Sequence, residues 1–240
     1  MTGAGRPTVA VPDGFTLVAL DEVGSTNEEA LKLATAGAAT GTVVWAERQS
    51  KGRGRRGRAW DSPAGNLYCS IVLRPQRAPP AQVSFAAAVA LAEAVESQGR
   101  PVQLKWPNDV LIAGAKVAGI LLEGTSSALV LGTGVNIESA PPVGTSLRAH
   151  NIGASVATML QSYLKALKSW LARWERDGFA PVRDAWLQRA IGVGQSIEVR
   201  LPAETLPGTF DGLDADGVLL LGTPGGVRRI AAGDVFLVRA

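Results

Sequence analysis

The sequence predicts an α+β protein, with a large domain in which helices flank a mixed β-sheet, followed by a small β domain. Three observations support this fold class. Short β-branched segments alternate with helical ones up to about residue 150, two amphipathic helical segments follow, and only short strand candidates remain after residue 190. We place the domain boundary there, where the GVG of residues 192–194 breaks the last helix, which gives domains of residues 1–190 and 191–240.

The first predicted elements are a helix and two strands around a basic loop. In GSTNEEALKLATAGA (residues 24–38), Thr26 and Glu29 have the spacing of a capping box, so a helix is expected to begin near Thr26. TVVWAE (42–47) predicts a strand that leads directly into the loop. LYCSIVL (67–73) alternates as a buried strand does, which places its cysteine in the core rather than at a nucleophilic site.

The remaining elements are helices and short strands. Residues 84–98 suit a helix that ends at Gly99. Four strand segments follow at short spacing, VQLKW, DVLIA, KVAGILLEG and ALVLGTGVNI, and predict a meander. Residues 153–178 and 181–190 predict amphipathic helices, because their apolar residues recur at three- and four-residue intervals. About five short strand candidates between residues 191 and 240 predict a small barrel.

Composition excludes several classes of protein. The chain has 240 residues, 46% of them hydrophobic, which suffices for one large core and a small second one. It has no apolar run of about 18 residues and its start lacks the pattern of a signal peptide, so we expect a cytoplasmic protein without a membrane partner. One cysteine excludes an internal disulfide, and one histidine, His150, excludes a histidine triad or a histidine-rich metal site.

The positive charge is concentrated in one loop. Residues 48–58, RQSKGRGRRGR, contain six cations and no acid, whereas the rest of the chain has 18 basic and 21 acidic residues. A protein that coats nucleic acid usually spreads its cations over a face, so this local cluster favours a compact anionic ligand. A solvated basic loop is the alternative interpretation.

The glycines of this loop match two phosphate-binding motifs only in part. Gly52, Gly54 and Gly57 satisfy G-x-G-x-x-G, but neither a helix nor an acid about 20 residues later follows. Arg58 and Ala59 stand where a Walker A motif needs lysine and then serine or threonine. The glycines can instead let backbone N–H groups and guanidinium groups approach a ligand that carries a phosphate and a carboxylate.

Five motifs taken together resemble those of the biotin protein ligases, in family order. They are GSTNEEA (24–30), AERQSKGRGRRGRAW (46–60), LKWPNDV (104–110), KVAGILLE (116–123) and LGTGVNI (131–137). The C-terminal GTFDGLDADGVLLL and GGVRRIAAGDV also resemble the family's SH3-like domain. The resemblance implies a catalytic domain of the class II aminoacyl-tRNA synthetase and biotin ligase type at residues 1–190 and an SH3-like β-barrel at 191–240.

The resemblance also implies a reaction. In this family the biotin carboxylate attacks the α-phosphate of ATP to form biotinoyl-5′-AMP, and a lysine of a biotin carboxyl carrier domain then takes the biotin. Biotin, ATP and the carrier domain are therefore the expected partners, with Mg²⁺ as a cofactor beside ATP, and a homodimer is left open. Two anions meet in the first step, so fixed cations are needed to offset their repulsion.

Matching positions assign the expected roles. Lys116, Arg53 and Asp109 are expected to be catalytic, with Asp109 also a candidate Mg²⁺ ligand. The expected biotin-binding residues are Ser25, Thr26, Asn27, Gln49, Arg53, Gly54, Arg55, Lys116 and Gly119. The expected ATP-binding residues are Arg55, Arg56, Trp60, Lys105, Asn108, Asn136 and Lys116.

Several of these residues have a plain structural alternative. Ser25 and Thr26 could serve only as helix caps, residues 107–109 could form a simple turn, and Arg56 and Arg58 could be solvated. Lys116 could be an exposed hairpin lysine, and Trp60 could be a buried structural tryptophan.

Two features depart from the common family pattern. Ser50 and Lys51 stand where many relatives have small residues, and Lys51 adds a cation without an assigned role. Only about two dozen residues precede GSTN, too few for a winged-helix domain. We therefore expect a ligase that binds no DNA and has no repressor activity.

Two other functions stay open. Lipoate- or octanoyl-transferring enzymes share the broad fold, although GRGRRGRAW together with KWPND favours biotin. An RNA-binding module could combine a basic loop with a small barrel. Residues 191–240 hold four arginines, no lysine and only two aromatic residues, which disfavours that function.

Overall fold

Two β-sheets organise the part of the chain that the computed structural model describes, residues 9–125 and 127–238. The elements of the first domain are β1 (Thr16–Val23), α1 (Thr26–Thr35), β2 (Thr42–Gln49), β3 (Leu67–Leu73), α2 (Val83–Glu96), β4 (Gln103–Lys105), β5 (Asp109–Ile112), β6 (Ala115–Gly124), β7 (Leu129–Val135), α3 (Val156–Asp177) and α4 (Ala180–Leu187). Those of the second are β8 (Ser196–Arg200), β9 (Thr205–Leu213), β10 (Leu219–Thr223), β11 (Gly226–Ile230) and β12 (Asp234–Leu237).

The larger sheet is mixed and has seven strands in the order β1-β2-β3-β7-β6-β5-β4. β1 and β2 run parallel, and the other neighbouring pairs are antiparallel. β4 to β7 follow one another in space as they do in sequence, which confirms the predicted meander. The α+β fold with a mixed sheet is confirmed as well.

The two faces of this sheet are covered unequally. On one face α2 lies against the sheet, α3 and α4, and it is buried almost all round because it is rich in alanine, valine and leucine. On the other face α1 packs its buried Ala30 and Ala34 against β2, β3 and β7. A single ten-residue helix leaves part of that face open.

Three glycines lie on this less covered face. On adjacent strands Gly119 pairs with Gly134, and Leu121 pairs with Gly132, so all four point to one side of the sheet. Because the three glycines have no side chains, they leave a depression next to the start of α1.

Some local predictions were wrong or incomplete. α1 does begin at Thr26, but the capping box is wrong: Ser25 is the N-cap without a side-chain capping bond, and Glu29 instead pairs with Lys32 at 3.1 Å. β1 was not anticipated, because its residues do not alternate in burial. The capping box lies at α3, between Ser155 and Thr158, so this helix begins later than residue 153.

The second domain is a five-stranded antiparallel sheet in the order β11-β10-β9-β8-β12. Phe210, Leu219 and Leu221 are fully buried within it. This confirms the predicted β domain, whereas its closure as an SH3-like barrel and the boundary at residues 190/191 stay predictions. The last two residues of the fifth strand candidate lie outside the described residues.

None of the helices within residues 9–125 and 127–238 combines the length and the apolar character needed to cross a membrane.

Candidate active site

A cavity of about 700 Å³ opens on the glycine-bearing face of the large sheet. Its walls come from the start of α1, the basic loop, the turn between β4 and β5, strands β6 and β7, and the start of β12. Of the fifteen residues with an expected catalytic or binding role, fourteen line it: Ser25, Thr26, Asn27, Gln49, Arg53, Gly54, Arg55, Trp60, Lys105, Asn108, Asp109, Lys116, Gly119 and Asn136. Arg56 lies at the outer side of the loop, where its Nη1 donates to Asp234 at 3.1 Å.

One end of the cavity is a neutral, buried, hydrogen-bonded corner. The side chains of Ser25, Thr26 and Asn27 are almost completely buried. Gln49 Oε1 accepts from Thr26 N at 2.8 Å and from Thr26 Oγ1 at 3.0 Å. Ser70 Oγ donates to Asn27 Oδ1 at 2.5 Å and lies 2.8 Å from Thr26 Oγ1. Because neither Ser25 nor Thr26 makes a side-chain cap, helix capping does not account for these two residues.

The hydrogen bonds continue from this corner to the end of the basic loop. Gln49 Nε2 donates to Ser62 Oγ at 2.9 Å, and Ser62 Oγ donates to the Trp60 carbonyl at 2.9 Å. Both ends of the Gln49 amide are therefore fixed, which sets its orientation. The indole of Trp60 lies over the glycines: a Cβ added at Gly134 would be 2.7 Å from its Nε1, and one at Gly119 would be 3.1 Å from its Cζ3.

The basic loop is a small hairpin. Arg53 and Ala59 form an antiparallel bridge, Gly54 N donates to Arg58 O at 2.7 Å, and Trp60 N donates to Gly52 O at 2.9 Å. A side chain at Gly52 would overlap Ser62 and the Trp60 carbonyl, so only glycine fits there. The loop thus presents its guanidinium groups from a defined backbone.

The arginines of the loop have different partners. Arg53 Nη1 donates to Glu28 at 2.6 Å and its Nη2 to Glu123 at 3.2 Å. Arg55 Nη1 lies 3.4 Å from Asn108 Oδ1, and burial lowers the pKa of Arg55 from its usual value, partly offset by Asp234. Because a guanidinium is not deprotonated in proteins, Arg55 stays charged.

Lys116 lines the cavity between Asp109 and Trp60. Its Nζ is 2.6 Å from Asp109 Oδ1 and 5.0 Å from the centre of the Trp60 ring. A Cβ at Gly119 would be 3.0 Å from its Nζ and Cε, so the glycine makes room for this ammonium group. About a third of the Lys116 side chain is exposed, 33%, which leaves it accessible from the cavity.

The comparisons with known proteins agree with this geometry. Residues 21–138 match the biotin/lipoate A/B protein ligase family, and residues 192–238 match the biotin protein ligase C-terminal domain. The chain is 43% identical to the biotin–[acetyl-CoA-carboxylase] ligase of Paracoccus denitrificans over 232 residues, covering 88% of this chain and 96% of that ligase. The chain belongs to the biotin protein ligase family.

Other members of the ligase family extend the comparison. The chain is 34% identical to the bifunctional ligase/repressor BirA of Bacillus subtilis, covering 93% of this chain and 74% of BirA. The structure of the biotin protein ligase from Aquifex aeolicus in complex with biotin and ATP superposes with a TM-score of 0.82 at 30% identity, covering 94% of this chain and 99% of that one. The superposition covers almost the whole chain and therefore includes both of its sheets.

The second domain of this ligase reaches into the site, which the sequence motifs did not indicate. Asp234, Val235 and Phe236 line the cavity. Asp234 accepts from Arg58 Nη2 as well as from Arg56, so the loop is tied to the second domain. Lys105 Nζ lies 5.0 Å from the centre of the Phe236 ring, and Arg200 Cζ lies 4.0 Å from the same centre.

Other ligase residues were missed because their role depends on tertiary neighbours. Ser70 and Ser62 connect the predicted head-group residues, and Gly132 and Gly134 form the floor. The two glycines had a signal in the sequence: in LGTGVNI they stand two residues apart along a strand and so share one face. A Cβ at Gly132 would overlap the side chain of Asn27.

Three further residues considered in the sequence analysis, Cys69, His150 and Asn136, pack against or bond to other parts of the protein. Cys69 is fully buried and burial raises the pKa of its thiol to about 12, which confirms a core cysteine. His150 Nε2 lies 2.9 Å from Thr145 Oγ1, outside the cavity. Asn136 Nδ2 donates to the Thr145 carbonyl at 3.1 Å, so part of its capacity is used within the protein.

Within residues 9–125 and 127–238, no cluster of three or more His, Cys, Asp or Glu side chains could hold a metal ion by itself. Asp109 and Asn108 provide one carboxylate and one amide oxygen beside the cavity. That set fits Mg²⁺ only when phosphate oxygens supply further ligands, which is how proteins commonly bind this ion.

Proposed function

We propose that this chain is an ATP-dependent biotin–protein ligase that activates biotin as biotinoyl-5′-AMP and transfers it to a lysine of a biotin carboxyl carrier domain. The observation that carries the proposal is one cavity with two unlike ends, in a chain 43% identical to a biotin–[acetyl-CoA-carboxylase] ligase. The neutral corner suits the uncharged ureido ring, and the cationic end suits a carboxylate and a phosphate.

In the first step, a carboxylate oxygen of biotin attacks the α-phosphorus of ATP. The bond from that phosphorus to the bridging oxygen breaks, and pyrophosphate leaves with the electron pair. Lys116 and Arg55 both line this cavity, so they can hold both anions close and stabilise the charge that develops on the phosphoryl oxygens. The energy of this stabilisation is larger in a site shielded from water.

Lys116 begins in an ion pair with Asp109, 2.6 Å away. Incoming substrate anions would compete with Asp109 for the ammonium group, and Asp109 would then be free to face a cation. We assign Asp109 and Asn108 to Mg²⁺ carried on the ATP phosphates, where the ion would neutralise phosphate charge. Lys105, beside the same turn, is assigned to the phosphates.

The remaining assignments follow position in the cavity. Ser25, Thr26 and Gln49 would bind the head group, and Trp60 and Asn136 would enclose the rest of the adenylate. Trp60 offers an apolar ring, and its Nε1 is buried without a hydrogen-bond partner among the described residues, which leaves a donor for a ligand.

In the second step, the amine of the acceptor lysine attacks the acyl carbon, the bond to the AMP oxygen breaks, and the amine loses a proton. The acceptor is proposed to be the carrier domain of a carboxylase, as the name of the Paracoccus relative indicates. Because the reaction consumes ATP, we place the enzyme in the cytoplasm. A homodimer and the lack of DNA binding stay predictions.

ATP–pyrophosphate exchange with Mg²⁺ tests the first step. We expect exchange that requires biotin and is not supported by lipoate. Exchange with lipoate alone would assign the chain to the lipoate branch of the matched family, and no exchange with either acid would overturn the adenylation proposal. Transfer is then measured with a purified carrier domain and with the same domain after its acceptor lysine is replaced by arginine.

A further inference from the structure

Glu123, at the end of β6, contacts both walls of the cavity. One carboxylate oxygen, Oε2, accepts from Asn27 Nδ2 at 2.7 Å and from Arg53 Nη2 at 3.2 Å. Asn27 belongs to α1 and Arg53 to the basic loop. A single acid therefore joins the helix that forms the neutral corner to the loop that carries the cations.

The contact with Glu123 fixes the orientation of Asn27. An ionised carboxylate only accepts hydrogen bonds, so the NH₂ end of the amide must face Glu123 and the oxygen must face Ser70. Ser70 is fully buried and also contacts Thr26. Glu123 is thus the first member of a chain of hydrogen bonds that runs through Asn27 and Ser70 to Thr26.

The same contact changes the expected role of Arg53. Both of its Nη atoms bind carboxylates, because Nη1 donates to Glu28 at 2.6 Å while Nη2 donates to Glu123. Two acids offset its charge before any substrate arrives, so its guanidinium has little net charge left to attract a further anion, and Nε is its one nitrogen without a hydrogen-bond partner among the described residues. Arg55, held by the neutral side chain of Asn108, has no such competition from its hydrogen-bond partner.

We propose that Glu123 is a positioning residue that connects the basic loop to α1, and that the side chain of Arg53 makes this connection rather than acting as a catalytic cation. We call the connected residues, Glu123, Arg53, Glu28 and Asn27, the clasp. It rests on the proposed function, because it explains how the biotin-binding corner and the loop keep their relative positions. The reacting groups are then left to Lys116 and Arg55.

The clasp predicts a distinct kinetic signature. Groups that hold a binding site in shape affect ground state and transition state alike, so their loss raises KM and leaves kcat nearly unchanged. For Glu123→Ala we expect the KM for biotin to rise about tenfold, as for the loss of one or two charge-assisted hydrogen bonds. We expect kcat to change less than about twofold and the KM for ATP to change much less than that for biotin.

The test is biotin-dependent ATP–pyrophosphate exchange with four proteins. Wild type must show exchange first, and its failure would overturn the proposed function rather than the clasp. Glu123→Gln, which keeps a neutral acceptor, should give an intermediate KM. Glu29→Ala is the matched control, since this acid on the same helix pairs with the exposed Lys32 and does not line the cavity, so the variant should behave as wild type. An unchanged biotin KM in Glu123→Ala, or a loss confined to kcat, would overturn the clasp.

Arg53→Gln separates the two roles of Arg53 and is also informative if the Glu123 variants fold poorly. As part of the clasp, this variant should raise the biotin KM and retain kcat. A fall in kcat of a hundredfold or more at unchanged biotin KM, about what a lost transition-state donor causes, would make Arg53 catalytic and refute the proposal.

Discussion

The two ends of the cavity are built in different ways. In the neutral corner, Thr26, Asn27 and Ser70 are buried, uncharged and hydrogen-bonded to one another within one domain. At the cationic end, Arg56 and Arg58 are at least one-third exposed, 35% and 65%, and their partner Asp234 belongs to the second domain. The corner is thus set in shape before a ligand binds, whereas the cationic end depends on ion pairs that solvent can weaken.

The largest effect is expected at Lys116. Lys116→Ala removes a cation that lines the cavity, and loss of one preorganised donor to a developing charge lowers rates about 10²- to 10³-fold. We expect adenylate formation, followed by ATP–pyrophosphate exchange, to fall by at least this factor while thermal unfolding stays close to wild type.

Lys32→Ala is the control for Lys116→Ala, because this lysine is exposed on α1 and pairs with Glu29. Retained exchange in the Lys116 variant would remove Lys116 from the chemistry.

The next effect tests how rigid the neutral corner is. In Gly132→Ala the new methyl group would overlap Asn27. Such overpacking costs about 1–3 kcal/mol, so we expect the biotin KM to rise about ten- to a hundredfold. Isothermal titration with biotin alone would measure the same loss.

The control here is Gly225→Ala, whose Cβ would meet nothing closer than 3.9 Å. A corner that adapts at no cost would give wild-type affinity in Gly132→Ala, and the contrast with the cationic end would then be lost.

A smaller effect is expected at Arg55. Arg55→Gly removes a partly buried guanidinium that faces the cavity and adds backbone freedom to the loop. We expect biotinoyl-AMP to leave about tenfold faster, as for one lost charge-assisted contact, and to label lysines of bystander proteins. The measurement is streptavidin detection of biotin on added albumin.

Arg55→Lys keeps the charge and should retain most of the adenylate. Equal adenylate release from Arg55→Gly and wild type would show that Arg55 does not hold the adenylate.

The smallest effect is expected at the contact between the domains. Asp234→Asn removes the acid shared by Arg56 and Arg58, and partly exposed ion pairs contribute about 0–1 kcal/mol. We expect a change in the KM for ATP of no more than about fivefold, decreasing further at high salt, and faster proteolysis within residues 51–58.

Glu204→Gln breaks a comparable exposed pair with Arg228 elsewhere in the second domain and should leave proteolysis of the loop unchanged. If Asp234→Asn is cleaved no faster than this control, the second domain does not hold the loop.

The sequence predicts a structural feature best when that feature depends on residues close together in the chain. The meander and the main helices were predictable, because each depends on periodicity or on neighbouring residues. Thr26 shows a limit of that approach: it had the spacing of a capping residue, but its hydroxyl bonds Gln49, 23 residues away. β1 was missed because its residues have no regular alternation of burial.

The least predictable parts of the site are those that only folding brings together. Asp234 lies 178 residues from Arg56, and Glu123 lies 96 residues from Asn27. No spacing rule connects residues so far apart, since their proximity is set by sheet order and by the docking of the second domain. Ser70 was hidden for a related reason: a buried serine in a strand has no local sign of its hydrogen-bond partner.

The position of β12 in the cavity wall has a consequence for protein synthesis. Translation makes Asp234 and Phe236 after every other cavity residue, so a nascent chain that has not reached them has a cavity open on that side. Completion of the reaction chamber is therefore a late event in synthesis, because it requires both the large sheet and β12.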